Sequence, residues 1–153
     1  MATMEQIETL MSEMGPVLDP LSIDAVAEHK SWAVTMEEDL TVLVQFDEQK
    51  NCLVLASEVG APPPGDRTAL YELLLQLNYQ WETTGGNRMA IDGPGGNVVQ
   101  VFEIGADDLD ATRLSRVVAS FTEAAKAWQE IVQRPAEAQN STLDMRADLG
   151  IRV

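Results

Sequence analysis

Leu114, Val117, Val118, Phe121, Ala125, Trp128 and Val132 recur along a single face of a 3.6-residue repeat near the end of the chain, and this stripe limits the fold more than any other feature. An apolar stripe of about five turns specifies a helix that must lay one face on another layer. Asp107, Asp108 and Asp110 precede it, suited to cap the helix and complement the positive end of its dipole, and Arg134-Pro135 stops it.

The covering layer is legible upstream. Met4, Ile7, Leu10, Met11 and Met14 make a short amphipathic first helix that the pattern ends at Gly15-Pro16. Residues 17–31 show weak periodicity and read as loop with a short extended piece. From Trp32 the period becomes two: Trp32, Val34 and Met36 alternate with Ala33 and Thr35 up to an acidic turn at Glu37-Glu38-Asp39. Val42, Val44 and Phe46 form one face of a second strand and Thr41, Leu43 and Gln45 the other, with a polar hairpin loop over Asp47 to Asn51. The third strand, Cys52 to Val59, is apolar at nearly every position, as expected of a central or doubly covered strand.

Ala61-Pro62-Pro63-Pro64-Gly65 is a stiff connector into a helix whose N-cap is expected at Asp66. Leu70, Leu73, Leu74, Leu77 and Trp81 make one stripe on that helix, and Tyr71, Leu75 and Asn78 a second. A single modest sheet covers only one side of a helix, so the second stripe predicts a subunit contact and a homodimer. Thr83-Thr84-Gly85-Gly86 breaks the helix, and Arg88 to Asp92 and Asn97 to Ile104 form a hairpin around Gly93-Pro94-Gly95-Gly96. The expected fold is α+β: helix, three antiparallel strands, helix, two strands, long C-terminal helix, assembled as a homodimer. It occupies residues 1–133 as one domain, with 134–153 as a flexible C-terminal tail.

Composition narrows the function. The chain has 153 residues, enough for one domain with a real core, and carries 25 acidic against 10 basic side chains, a net charge of −15. That sign repels phosphate backbones and anionic headgroups, so neither nucleic acid nor membrane is an expected partner; a basic or apolar polypeptide is. One cysteine, Cys52, excludes an internal disulfide, and the absence of a basic apolar leader or a long apolar run points to the cytoplasm.

Candidate chemistry is sparse. Gly93-Pro94-Gly95-Gly96 lacks the Lys-Ser/Thr and following helix of a phosphate loop and reads as a turn. Asp107, Asp108 and Asp110 read as a helix cap rather than a magnesium site, Cys52 as a core thiol, and the single histidine, His29, as a surface residue. No catalytic residue, metal site or cofactor is expected. Methionines 4, 11 and 14 leave two readings open: core filler, or an adaptable binding surface.

Leu73-Leu74-Leu75-Gln76-Leu77-Asn78, Thr84-Gly85-Gly86, Leu109-Asp110 leading to Phe121 and Trp128, Phe46-Asp47-Glu48 and Leu53-Val54-Leu55 together resemble the class I type III secretion chaperone family, the Tir-chaperone-like proteins, over residues 4–133. The approach to Trp32 is longer than the family's usual one, as is the tail.

The resemblance implies a non-enzymatic cytoplasmic homodimer that binds the N-terminal region of a secreted effector and keeps it extended, soluble and export-ready. It places effector binding on the first helix and first three strands, where Met4, Ile7, Met11, Val34, Met36 and Leu43 are the expected contacts. It places the dimer contact on the second helix, at Tyr71, Leu74, Leu75 and Asn78. The competing expectation is a regulatory adaptor of the same fold that binds a folded partner.

Overall fold

The structure, a computed structural model, describes residues 1–134. The tail expected over 134–153 therefore lies, from residue 135 onward, outside the described residues. The elements run α1 (Met4–Leu18), β1 (Ser22–Val26), a 3-10 turn (Ala27–His29), β2 (Ser31–Glu37), β3 (Leu40–Asp47), β4 (Cys52–Gly60), α2 (Thr68–Tyr79), α3 (Trp81–Thr84), β5 (Arg88–Ile91), β6 (Val98–Gly105) and α4 (Ala111–Gln133). Hydrogen bonding orders the strands β1-β2-β3-β4-β6-β5. The α+β order expected from the sequence is present, with β1 as a paired strand within residues 17–31, where a loop with a short extended piece was expected.

The chain divides into two compact units, Met1–Ser57 with Phe102–Thr122, and Glu58–Val101 with the chain from Glu123. In the first unit a single cluster joins Ile7, Leu10, Met11 and Met14 of α1, Trp32 and Val34 of β2, Val42, Val44 and Phe46 of β3, Leu53 and Leu55 of β4, and Leu114, Val118 and Phe121 of α4. One face of β2–β4 is thus covered by two helices. The alternation read from the sequence decides which face: Val42, Val44 and Phe46 are buried while Thr41, Leu43 and Gln45 are exposed.

α1 begins with Thr3, whose hydroxyl accepts from Gln6 N while the Gln6 side chain accepts from Thr3 N, a capping box. It does not stop at Gly15-Pro16 as the sequence pattern suggests, but continues to Leu18 and ends on Asp19 in the left-handed region, whose N–H bonds Gly15 O. A proline inside a helix costs about 3 kcal/mol. Burying the four side chains Ile7, Leu10, Met11 and Met14, each worth about 1.5–3 kcal/mol, outweighs that cost.

β1 is legible in the sequence only as a short extended piece without bounds, because it lies at the sheet edge. Its register runs from Ser22↔Thr35 to Val26↔Ser31, yet Asp24, Ala25 and Val26 are all exposed, so the buried-exposed alternation that reveals a strand is missing. Pairing with β2, not amphipathicity, makes it a strand.

In the second unit α2 buries Leu70, Leu73, Leu74 and Leu77. Its N-cap position is Arg67 rather than the expected Asp66, though Asp66 Oδ1 accepts from both N and Oγ1 of Thr68, at 2.9 and 2.6 Å. Those two bonds hold the Asp66 carboxyl below the usual carboxylate range. The helix ends at Tyr79, and α3 follows until Gly85, at φ 64°, closes it in a conformation that favours glycine. Trp81 therefore lies outside α2, and its four-residue spacing from Leu77 no longer places it on the leucine stripe; it is 65% exposed. Trp32 and Trp128 are buried.

Candidate functional site

In the first unit, the sheet face opposite the helices carries three rows across the strands. Register places Ser22 beside Thr35 and Thr41; Asp24 beside Ala33, Leu43 and Ala56; and Val26 beside Ser31, Gln45 and Val54. Leu43 is the one exposed large apolar side chain in these rows within β2–β4, and it lies between two alanines. Small and hydroxyl neighbours leave room on either side of it for the side chains of a ligand. A cleft of about 340 Å³ near the β3–β4 hairpin is lined by Lys30, Gln45, Phe46, Glu48 and Val54, with Lys30 Nζ 2.6 Å from Glu48 Oε2.

The edge of the sheet adds a second feature. No strand among the described residues flanks β1 on the side away from β2. Exposed Val17, Leu21 and Val26 accompany this edge in sequence, interleaved with exposed Asp19, Asp24 and Glu28. An edge that offers main-chain groups next to apolar side chains suits an added extended segment.

Of the expected contacts, Leu43 is exposed and Met4 and Met36 are half-buried. Ile7, Met11 and Val34 are instead core residues with 0–1% exposure, and this corrects their assignment as direct contacts. The reason is geometric: the α1 stripe and the inward face of β2 satisfy each other within one subunit. For Met11 and Met14, core filling is the reading that holds. What the sequence missed is the run Leu21, Asp24 and Val26, which becomes a surface only once β1 is paired.

The expected dimer contacts separate in the same way. Leu74 is buried with the α2 core stripe. The Asn78 side chain donates through Nδ2 to Met89 O at 3.0 Å and accepts at Oδ1 from Met89 N at 2.8 Å, pinning α2 to β5. Tyr71 is half-buried, while Leu75 is 71% and Tyr79 87% exposed. Tyr71, Leu75 and Tyr79 keep a four-residue spacing that was available in the sequence; Tyr79 was missed.

The residues weighed as candidate chemistry have structural surroundings. Cys52 is buried, and desolvation, reinforced by Glu103 and Asp47, raises its pKa, keeping it a neutral thiol and a poor nucleophile. Asp110 Oδ1 accepts from Arg113 N at 2.7 Å as a helix cap, and Asp107 lies 3.6 Å from the terminal ammonium of Met1. His29 is exposed. Among the described residues no group of three His, Cys, Asp or Glu side chains is placed to hold a metal ion, and no helix is long and apolar enough to cross a membrane.

The arrangement of a helix-backed antiparallel sheet with a long final helix is found in solved type III secretion chaperones. A chain of the ExsC-ExsE complex superposes with a TM-score of 0.73 at 18% identity, covering 87% of this chain and 98% of its own. A chain of the HopA1-SchA chaperone-effector complex gives 0.65 at 18% identity, covering 81% and 93%. A chain of the complex between the Yersinia pestis type III secretion chaperone SycH and a stable fragment of YscM2 gives 0.59 at 23% identity, covering 76% and 94%. No curated protein matches the sequence. The Tir chaperone protein (CesT) family matches residues 18–129, and the chain belongs to that family. It is thus a member of the class I type III secretion chaperones that its dispersed motifs resemble.

Proposed function

We propose that the chain is a non-enzymatic cytoplasmic chaperone that binds the N-terminal region of a cognate secreted effector, holds it extended and export-ready, and works as a homodimer. The observation that carries this reading is the uncovered β1 edge beside exposed Leu21, Val26 and Leu43 in a family of secretion chaperones. An extended segment gains main-chain hydrogen bonds at such an edge and buries alternate side chains against the small-residue rows next to it. Leu43 remains a contact residue in this proposal, joined by Leu21 and Val26, whereas Met4 and Met36 pack against the core cluster. Ile7, Met11 and Val34 hold the underlying sheet in shape.

The dimer is proposed through the outward ladder of α2, Tyr71, Leu75 and Tyr79, because large exposed apolar side chains in one patch mark an interaction surface. The high negative charge keeps a protein with such surfaces soluble.

The test uses substitutions at exposed positions, where folding is spared. Val26→Glu with Leu43→Glu should weaken capture of an effector's isolated N-terminal fragment by about tenfold or more while leaving the far-ultraviolet circular dichroism and melting profile unchanged. Leu75→Glu should shift the mass measured by light scattering from dimer to monomer. Undiminished capture by the double variant would remove the assigned surface. Capture of a folded partner but never of the isolated fragment would make the protein an adaptor instead.

A further inference from the structure

The β1 edge also carries a charge, Asp24. Asp24 is the middle residue of Ser22–Val26 and is exposed; its Oδ2 accepts only a local bond from Ser22 Oγ at 3.1 Å. Lys30 O accepts from Phe46 N, so strand alternation directs the main-chain groups of Ala33 toward β1, where Asp24 is its partner. The main-chain groups of Asp24 are therefore committed to β2. Those of its neighbours Ile23 and Ala25 face the open edge. A strand added antiparallel there meets Asp24 in a non-hydrogen-bonded pair, the geometry in which Cα atoms approach to about 4.5 Å and side chains are closest.

Two results follow from that placement. A second copy of β1 laid antiparallel in the register that pairs all five residues puts Asp24 directly opposite Asp24, and like charges opposite each other destabilise a strand pair. A foreign strand with Lys or Arg at that position gains instead. The surrounding field has the same sign preference, since 15 of the 25 acidic side chains but only 4 of the 10 basic ones belong to the first unit.

We propose that Asp24 makes the β1 edge selective: it rejects self-pairing and admits an extended partner segment that carries a cationic side chain opposite it within an aliphatic or hydroxyl-rich strand. This rests on the proposed chaperone reading for the source of the segment, but the selectivity itself is a property of the edge. The occupant is a positively charged extended polypeptide, not a second β1.

The experiment uses the full chain and two soluble synthetic peptides of about nine residues, a strand's length, alternating Thr and Val around a central Lys in one and a central Glu in the other. At low salt the Lys peptide is expected to bind roughly fivefold tighter than the Glu peptide, with the difference shrinking as salt rises. Asp24→Asn should abolish the preference, and Asp24→Lys should reverse it. Sedimentation of Asp24→Val should show association beyond the wild-type oligomer, since the repelling charge is gone and an apolar edge remains. Equal binding of both peptides to all variants, or no binding of either, overturns the proposal. Effector capture that persists with indifferent peptides would sink the Asp24 role alone; peptide selectivity without any effector would sink the chaperone reading alone.

Discussion

Val34→Glu is expected to abolish the cooperative unfolding transition and leave a chain without native circular dichroism. Val34 has 0% exposure, pairs in register with Ile23 on one side and Val42 on the other, and belongs to the cluster that joins both helices to the sheet. A carboxylate there must stay charged and unpaired, or protonated and unbonded; either state costs several kcal/mol, beside a total stability of about 5–15 kcal/mol for a domain. Val34→Ala, by contrast, should cost about 1–3 kcal/mol and keep the fold. Urea titration measures both. A Val34→Glu protein with a native melting profile and a selective loss of partner capture would return this residue to the binding surface.

Asn78→Ala should lower stability by about 2–4 kcal/mol, a larger loss than truncating an exposed amide produces. The side chain uses its donor and its acceptor on the two main-chain groups of Met89, so its removal orphans both groups in a partly buried place. Each unsatisfied group costs about 1–3 kcal/mol. The midpoint of urea unfolding should fall with an unchanged slope. If the mass in solution changed while stability held, Asn78 would instead belong to the subunit contact expected from the sequence. Comparison with Leu75→Glu separates the two roles: Leu75 is exposed and its variant tests association, whereas Asn78 closes a bond within one chain.

These contrasts show where residue patterns were sufficient. Leu114 to Val132, Val42-Val44-Phe46 and Leu70-Leu73-Leu74-Leu77 each record burial along one element, and burial has the period of that element. These three elements and their inner faces were therefore legible. The family resemblance, resting on dispersed residues within the same segments, was legible too and agrees with the match over residues 18–129.

The sites were harder to read because an apolar side chain looks the same whether it meets its own core or another molecule. Ile7, Met11 and Val34 on one hand and Leu43 on the other are equally apolar in sequence; the first three face an intramolecular layer and the last does not. Asn78 was grouped with Tyr71 and Leu75 by helical spacing, yet spacing cannot show that β5 brings Met89 to its amide. Trp81 was assigned to α2 because nothing in the spacing shows the turn at Gln80.

By itself, then, the sequence determined the covered faces of its periodic elements and the net acidic charge, since each depends on residues near one another in the chain or on their totals. Only the tertiary structure decided that Ser22–Val26 is a strand, that it lies at an edge, and that Asp24 is the charge an added strand would meet there. The physical reason is that edge pairing is a long-range hydrogen-bond property: β2 supplies the partner groups, and a strand exposed on most of its side chains has no hydrophobic period to announce it.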